Sequence, residues 1–532
     1  MTRRFTILMI LFFGCALWAG AFTGTSLNAQ EKRLRALQKH DRTALESIAA
    51  TPGGQPLWTL TLAAKDTGLP AIALFGNVDG DDPASTELVL GLLERWLHDY
   101  NRVDSITQFL DSTVIYAFAN INPDAQTRVL TLNGQSLDLD HDGFKDEDGP
   151  EDINGDSVIT HMRIQDPAGT WMADSSLSGW MRKADPTRNE HGAWRMYRVG
   201  IDNDADGDWN EDPPGGVHIN RNFSFKYPRF EFGAGCDPMS ASETRAIADF
   251  IFAHENIVAV YALTRAGNLL QPWSSAGDGE LNNVAAEDKP YFKCMADRFK
   301  KIAGKPAWNS EQSGGRLDYW AYFHTGRWCF SAPVWVPRVA ADSAETGDWS
   351  PEKRLWTWIE ERNDSSRFVP WQSVQHPDFP DKRVEVGGLK PDADQPDAAA
   401  LDSLIGVHHG FILDLRRQLP RLQVDTQVQP LGSGLFRLTL SVQNSGALPT
   451  QPIPGTQLPW NRDLTVQLEL AGGQTFLSGT PFVKLERLEP GQAHEITWLL
   501  QSRKPGTLLI TVGSPSVGFI TRHLSLQKGG VE

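Results

Sequence analysis

Three acidic runs in the middle of the chain place oxygen-bearing side chains on alternate residues, a spacing that suits a bound cation. Alternation turns successive carboxylates toward one centre, and a neighbouring glycine permits a sharp bend, as in the first half of an EF-hand loop. The runs lack the flanking helices and closing glutamate of an EF-hand, but they predict calcium sites. The candidate calcium ligands are Asp138, Asp140, Asp142, Asp152, Asn154, Asp156, Asp202, Asp204 and Asp206.

An acidic disordered loop is the alternative interpretation of these runs. Apolar residues such as Val158, Met162 and Trp209 lie in the same segment, and anchors of this kind favour an ordered structure. Residues 140–150 also parallel residues 204–214 in sequence, which predicts two similar arms that hold neighbouring ions.

Four other segments carry motifs that together match one family of enzymes. Residues 73–83 end an apolar run with Asp-Gly-Asp-Asp, and residues 120–124 read Asn-Ile-Asn-Pro-Asp. Residues 216–223 contain Asn-Arg-Asn-Phe, and residues 260–269 end an apolar run with a threonine shortly before Gly-Asn. The set resembles the M14 zinc carboxypeptidase family over about residues 57–420, and the Asn-Arg-Asn-Phe segment is its most specific part.

The resemblance implies a ligand with a free C-terminal carboxylate, bound by Asn220 and Arg221. A planar guanidinium suits this task because it makes two parallel, charge-assisted hydrogen bonds to a carboxylate. Arg163 is expected to replace the family arginine that polarises the scissile carbonyl, with an ordinary surface arginine as the alternative. The expected partner is therefore a peptide or protein with a free C terminus.

The positions that would bind zinc and activate water depart from the family pattern. Asp79 and Asp82 stand where the family has a His-x-x-Glu pair, Thr264 where it has its last zinc-binding histidine, and Pro333 where it has its general-base glutamate. Two carboxylates and a hydroxyl form a hard oxygen site, better suited to calcium, magnesium or manganese than to zinc. Proline has no group that accepts a proton from water. The sequence therefore predicts that zinc binding is weak or absent and that the protein is catalytically inactive.

Two other functions compete with this interpretation. An active metallocarboxypeptidase or amidase would use an atypical divalent-metal site, with Glu385 beside Gly387-Gly388 as the base. A shifted alignment would instead supply ligands from among His191, His218, His254, His324, His408 and His409. A purely structural role would use the C-terminal domain to bind another surface protein.

The elements that must position these residues alternate between apolar strands and amphipathic helices, which is typical of an α/β fold. We expect a carboxypeptidase-like mixed sheet flanked by helices, with an acidic loop insert at 137–216. Residues 31–55 are predicted as a helix and residues 342–396 as long surface loops. From Leu422 onward apolar residues alternate between Gly and Pro turns, which predicts an all-β, immunoglobulin-like sandwich.

Length and composition limit the number of domains, the cellular location and the classes of ligand that we expect. The 532 residues divide into a leader at 1–29, an α/β domain at 30–420 and a sandwich at 421–532. The leader has the charged, apolar and small-residue order of a signal peptide, so we expect export to the periplasm, cell surface or medium. An uncleaved N-terminal anchor is the alternative, and a lipoprotein anchor at Cys15 fits the acylation pattern less well. The net charge of −16 argues against nucleic-acid binding.

Overall fold

A six-stranded mixed sheet forms the centre of the α/β part of the molecule. Its strands, in spatial order, are β1 (Thr43–Ala50), β2 (Pro56–Leu62), β4 (Val114–Phe118), β3 (Ala71–Phe75), β9 (Ile257–Leu263) and β10 (Trp328–Ala332). The last four run parallel and are buried along their whole length, as expected for short apolar strands covered on both faces. The structure is a computed structural model that describes residues 24–63, 68–126, 131–138, 143–146, 148–205, 207, 209–210, 215–273, 284–304, 314–339 and 350–526.

Helices flank this sheet and confirm the predicted α/β architecture. They are α1 (Leu27–Leu37), α2 (Pro83–Asp99), α3 (Asp104–Asp111), α4 (Pro123–Gln126), α5 (Ser242–Ala253), α6 (Lys289–Ala303), α7 (Leu317–Phe323) and α9 (Leu401–Gln418). The prediction of one helix over 31–55 was wrong beyond Leu37. Residues 43–50 form β1 instead, because they pair antiparallel with β2 at the edge of the sheet.

Within the described ranges, one helical stretch, Ala398–Gln418, is long and apolar enough to cross a membrane by length and composition. It contains α9, which packs on the fold through one face. Its buried face carries His408, Phe411, Ile412 and Leu415, and His408 bonds to the Tyr261 hydroxyl of β9. The helix therefore packs on the central sheet of the α/β domain.

A second sheet, entirely antiparallel, forms from the predicted insert and from a segment near the end of the α/β domain. Its strands, in spatial order, are β11 (Phe368–Val374), β12 (Val384–Leu389), β5 (His161–Gln165), β8 (Trp194–Arg198), β6 (Trp171–Ala173) and β7 (Met181–Lys183). One face buries Met162, Ile164, Val384 and Val386 against the acidic segment. The prediction of long surface loops over 342–396 was wrong for its described part, because α8 (Pro351–Arg362), β11 and β12 form there, and α8 and β12 bury apolar side chains.

The C-terminal part is a β-sandwich, as predicted. One sheet has the order β13 (Leu422–Gly432), β14 (Leu435–Asn444), β18 (Ala493–Ser502), β16 (Gln474–Ser478). The other has the order β17 (Phe482–Leu485), β15 (Leu464–Leu470), β19 (Gly506–Ser514), β20 (Gly518–Leu526). The alternating apolar residues of both sheets form a core of their own around Trp498.

The sandwich is joined to the α/β domain by a buried ion pair. Arg487 lies 2.8 Å from Asp288, which precedes α6, and the two side chains are 6% and 0% exposed. Asp288 also accepts hydrogen bonds from the Tyr322 hydroxyl of α7 and from the backbone N–H of Ile453 in α10 (Ile453–Gln457). The two domains therefore share a polar network that is closed to solvent.

Candidate active site

Parallel strands bring the predicted zinc and base positions to one edge of the central sheet. Phe75 of β3 pairs with Ala262 of β9, and Leu263 pairs with Ala332 of β10. Each strand stops there, and its next residues enter the loops that carry Asp79, Thr264 and Pro333. The carboxyl ends of parallel strands are where α/β folds place their ligands.

Asp79 is buried and held from two sides. Its Oδ1 accepts a hydrogen bond of 2.7 Å from Asn220 Nδ2, and its Oδ2 accepts one of 2.7 Å from the backbone N–H of Arg265. Burial alone would raise the pKa of this carboxyl. The nearby His218 and the two hydrogen bonds outweigh burial and keep the pKa of Asp79 below its ordinary value.

Asn220 joins Asp79 to Thr264. Its Nδ2 also lies 3.2 Å from Thr264 Oγ1, and its Oδ1 accepts a hydrogen bond of 3.0 Å from the N–H of Leu317 at the start of α7. An amide group of the chain thus lies between two of the predicted zinc positions. Both N–H groups of Asn220 are used internally, so its side chain has no donor left for a ligand.

Asp82, the third predicted zinc position, lies at the N terminus of a helix. It is the N-cap of α2, and its side chain accepts a hydrogen bond of 3.3 Å from the N–H of Ser85. Burial and the neighbouring carboxylates of Asp394 and Asp81 raise the pKa of Asp82 to about 7, although Arg265 opposes this rise. The structure thus gives Asp82 a capping role and weakens its negative charge.

Arg265 supplies a positive charge within this acidic edge. Its guanidinium lies 3.0 Å from Asp81 Oδ2 and 2.6 Å from Asp394 Oδ2. Burial raises the pKa of Asp81 to about 6, which Arg265 opposes. These three residues were not among the predicted site residues. Arg265 comes directly after Thr264 and was detectable by position, whereas Asp394 comes from a distant segment and had no local signal.

These residues do not fit a catalytic zinc. The donors near the Asp79 carboxylate are oxygens and one imidazole, that of His218, whose Nδ1 is buried without a hydrogen-bond partner in the described structure. The described part of the chain contains no cluster of three or more His, Cys, Asp or Glu side chains with metal-binding geometry. Catalytic zinc requires three such ligands and an open water position. Pro333 adds no proton acceptor.

Arg221 lies beside this edge, and its guanidinium is partly engaged. It donates a hydrogen bond of 3.0 Å to the Phe232 carbonyl and forms an ion pair with Glu231. Its Nε–H is buried and has no partner among the described residues. The Arg221 side chain as a whole is 25% exposed.

Arg163 and Glu385 pair with each other on the second sheet. They face one another across β5 and β12, and Arg163 Nε donates a hydrogen bond of 2.7 Å to Glu385. The Arg163 guanidinium lies between the rings of Trp194 and Trp371, 4.6 and 4.5 Å from their centres. Burial would raise the pKa of Glu385, but Arg163 and Arg383 outweigh it and lower that pKa. No described contact joins either residue to Asp79.

The described parts of the acidic runs form tight loops. Asp152 accepts hydrogen bonds from the N–H groups of Gly155, Asp156 and Ser157, and Asp202 accepts them from Ala205 and Gly207. Asn154 Nδ2 donates to Asp156, and Asp138 accepts from the N–H of Gly143. Asp204 is described, whereas Asp140, Asp142 and Asp206 lie outside the described residues.

The two acidic arms meet at one buried carboxylate. Asp148 is 0% exposed and accepts hydrogen bonds from the backbone N–H groups of Asn203 and Asn210. A β-bridge between Pro150 and Gly200 lies beside it. The sequence parallel between the arms thus corresponds to a contact in space.

Comparisons with known proteins agree on one family. A family model described as zinc carboxypeptidase matches residues 31–331, and a domain of unknown function, DUF8731, matches residues 421–525. Carboxypeptidase SOL1 of Arabidopsis thaliana is 31% identical over 116 residues, which are 21% of this chain and 23% of that protein. Mouse carboxypeptidase M is 31% identical over 86 residues, 15% of this chain and 19% of that protein. The chain therefore spans less than a quarter of each of these relatives.

Solved structures that are similar to this chain include the thrombin-activatable fibrinolysis inhibitor, at 13% identity and a TM-score of 0.35 over 58% of this chain and 68% of that one. A metallo-carboxypeptidase from Burkholderia cenocepacia gives 12% identity and a TM-score of 0.34 over 64% and 70% of the two chains.

Proposed function

Because the chain belongs to the zinc carboxypeptidase family, as its match over residues 31–331 shows, we propose that it is a non-catalytic member that binds free C-terminal carboxylates. The observation that carries the proposal is the Nε–H of Arg221, which has no partner among the described residues and lies beside an edge where those residues form no zinc-binding cluster. A buried donor without a partner costs free energy, and a ligand carboxylate would satisfy it. Arg221 thus combines a positive charge, a buried Nε–H without a partner among the described residues, and a side chain that is partly exposed to solvent.

The loss of catalysis is supported by how the neighbouring groups are used. Both carboxylate oxygens of Asp79 accept N–H hydrogen bonds, Thr264 shares one of those donors, and Asp82 caps a helix. Activation of water requires a metal or a nearby base, and Pro333 cannot act as one. The scaffold therefore offers ligand binding without a means of hydrolysis.

Glu231 competes with a peptide carboxylate for Arg221. Its carboxylate already pairs with Arg221, so an incoming C terminus must displace it or share the guanidinium. Glu231 is 58% exposed, and ion pairs with that much solvent contact are weak. We therefore expect exchange between Glu231 and a peptide carboxylate rather than a permanent block.

The proposal is tested by fluorescence anisotropy with labelled peptides that differ only at the C terminus, as a free acid or an amide. The free acid should bind and the amide should not, since only the acid carries the carboxylate that Arg221 recognises. Equal affinity for both peptides, or no binding of either across a set of different terminal residues, would contradict it.

A metallocarboxypeptidase with an atypical divalent-metal site is the second candidate. It is favoured by His218, which lies near Asp79 and has a buried Nδ1 without a partner in the described structure. An imidazole and a carboxylate are two of the ligands that such a site would need. Peptide turnover that disappears on His218→Ala substitution would support this candidate.

We also propose that the acidic loops bind calcium and that the protein is exported. The loops supply several carboxylates on a scaffold that is anchored by Asp148, and weak calcium sites of this kind fill at extracellular concentrations. Export rests on the composition of residues 1–29. Cell fractionation of the tagged full chain tests the location.

A further inference from the structure

The loop at residues 226–232 presents two phenylalanine side chains to solvent. Phe230 is 93% exposed, the highest value among the large apolar residues that the structure describes, and Phe232 is 54% exposed. Exposed apolar patches mark surfaces that contact a partner, but single exposed rings are common. This loop differs from an ordinary surface loop in its backbone conformation and in its charge.

The backbone at Phe230 is unfavourable for a bulky residue. Residues 228–231 form a turn closed by a hydrogen bond of 3.1 Å from the Glu231 N–H to the Pro228 carbonyl. Phe230 is the third residue of this turn and has a φ of 67°, in the left-handed region that favours glycine or asparagine. A residue that is 93% exposed gains little packing in return for this cost. The needs of folding therefore do not explain a phenylalanine at this position.

Hydrogen bonds fix the loop to the α/β domain. Arg221 Nη1 donates one of 3.0 Å to the Phe232 carbonyl, at the end of the loop. The Tyr227 hydroxyl donates another to the Gly235 carbonyl, which ties the start of the loop to the segment that follows it. The phenylalanine side chains thus protrude from a fixed backbone. A fixed backbone loses little conformational entropy when its side chains enter a partner.

The charge of this segment is opposite in sign to that of the whole chain. Residues 221–232 carry three basic side chains and one acidic one, in a chain with a net charge of −16. The acidic one, Glu231, pairs with Arg221. Lys226 and Arg229 are exposed and form no ion pair within the part of the chain that the structure describes. Two cations without a counter-ion in that part of the chain thus accompany the protruding rings.

We propose that residues 226–232 form a membrane-docking loop, in which Phe230 and Phe232 insert between lipid headgroups and the neighbouring cations bind anionic ones. Aromatic rings beside Lys and Arg are the combination that proteins present to a bilayer interface. The Arg229 guanidinium lies 5.8 Å from the centre of the Phe230 ring, so cation and ring enter the interface together. An anionic surface repels a chain of this net charge, and the local cations offset that repulsion.

A peptide bound at Arg221 is the competing occupant of this surface. Proteins recognise peptide side chains in concave sites that enclose them, whereas a residue at 93% exposure, as Phe230 is, has almost no protein around it. A bilayer needs no matching pocket, because apolar side chains enter the boundary between headgroups and acyl chains directly. The shape of the loop therefore favours lipid over peptide.

The test measures hydrogen–deuterium exchange of the full chain, by mass spectrometry of fragments that cover residues 226–232. The vesicles contain phosphatidylcholine alone or an equal mixture with phosphatidylglycerol. A local readout is needed because the apolar run at residues 5–22 is expected to bind vesicles by itself. The mixed vesicles should slow exchange in the loop of the wild type, and phosphatidylcholine alone should slow it less.

Three variants separate the contributions of ring and charge. Phe230→Gly removes one ring and should fold like the wild type, since glycine adopts this φ without strain. It should lower the ratio of docked to free loop by about 10-fold or more, the factor expected for a phenylalanine that is no longer buried. Arg229→Gln should lower that ratio about 5-fold on mixed vesicles and leave it unchanged on phosphatidylcholine. Phe519→Ala removes a residue that is 54% exposed in the sandwich and, as the matched control, should behave like the wild type.

The inference is overturned if vesicles leave exchange in the wild-type loop unchanged, or if they protect Phe230→Gly as well as the wild type. Equal protection on the two kinds of vesicle would overturn the role of the cations, and with it the choice of an anionic surface. Loss of affinity for the free-acid peptide in Phe230→Gly, without vesicles, would assign the ring to the peptide site instead.

The membrane-docking loop goes beyond the proposed carboxylate binding, because Arg221 enters it only as a residue that fixes the loop. The two proposals therefore fail separately. Absence of peptide binding in the wild type would remove the proposed function and leave the exchange result standing. Absence of vesicle protection would remove the docking loop while the peptide titrations stand.

Discussion

The pairing of Arg221 with Glu231 gives opposite predictions for two substitutions at one site. Arg221→Ala removes the guanidinium that recognises a peptide carboxylate. Glu231→Gln leaves the guanidinium in place and removes the carboxylate that competes for it. Affinity for a peptide with a free C terminus should fall in the first variant and rise in the second.

The magnitudes depend on exposure and bond type. A hydrogen bond to a charged group contributes about 1.5–3 kcal/mol, so Arg221→Ala should weaken binding by about 10- to 150-fold. The Arg221–Glu231 pair is 25% and 58% exposed, and such pairs contribute at most about 1 kcal/mol, so Glu231→Gln should strengthen binding by at most about 5-fold.

The assay is isothermal titration calorimetry of the wild type and both variants with one peptide as free acid and as amide. The amide should bind all three proteins equally weakly. Lys226→Ala is a matched control, since it removes a positive charge from the same loop region without touching the pair. Unchanged affinity in Arg221→Ala, or weaker binding in Glu231→Gln, would refute the assignment of Arg221 as the carboxylate anchor.

Three predictions concern stability. Arg487→Ala should lower the free energy of unfolding by about 3–5 kcal/mol in urea titrations, because it leaves Asp288 charged and buried. The control, Lys484→Ala, breaks an exposed pair with Asp463 and should lower the free energy of unfolding by about 1 kcal/mol or less. Equal losses of stability in the two variants would contradict the shared network. Burial lowers the pKa of His408 to about 4, so the unfolded chain binds a proton that the folded chain does not as pH falls below about 6.5. Stability should therefore drop by about 2 kcal/mol more between pH 7.5 and pH 5 in the wild type than in His408→Gln, and identical pH dependence would argue against a buried neutral imidazole. Removal of calcium by a chelator should lower the melting temperature, since an ion that binds only the folded state stabilises it, and an unchanged melting temperature would exclude the calcium sites.

Most of the central sheet was predictable because its strands other than β1 are short apolar runs that cannot be placed elsewhere than in a core. Residues 71–75 and 257–263 are apolar throughout, so their strands needed no long-range information. The second sheet was missed because its strands mix charged and apolar residues, as in His-Met-Arg-Ile-Gln at 161–165. The alternation of buried and exposed side chains in β5 is recognisable only once the structure shows what each face of the sheet contacts.

The site was predictable in its residue types but not in its contacts. The sequence placed Asp79 and Thr264 at corresponding strand ends, and the parallel register brings them together. It could not show that Asn220 would bond to both of them, or that Asp394 would reach Arg265 from a distant loop. Such contacts depend on how separate segments pack, which local patterns do not encode.

Zinc content and peptide turnover, measured on the same purified sample, decide whether this carboxypeptidase scaffold binds without cleaving. Metal content is determined by mass spectrometry after dialysis against trace zinc, and release of C-terminal residues is measured on the peptides used for binding. A non-catalytic binder should bind peptide with far less than one zinc per chain and release no terminal residue. About one zinc per chain, together with hydrolysis that stops when a chelator removes it, would contradict the proposed function.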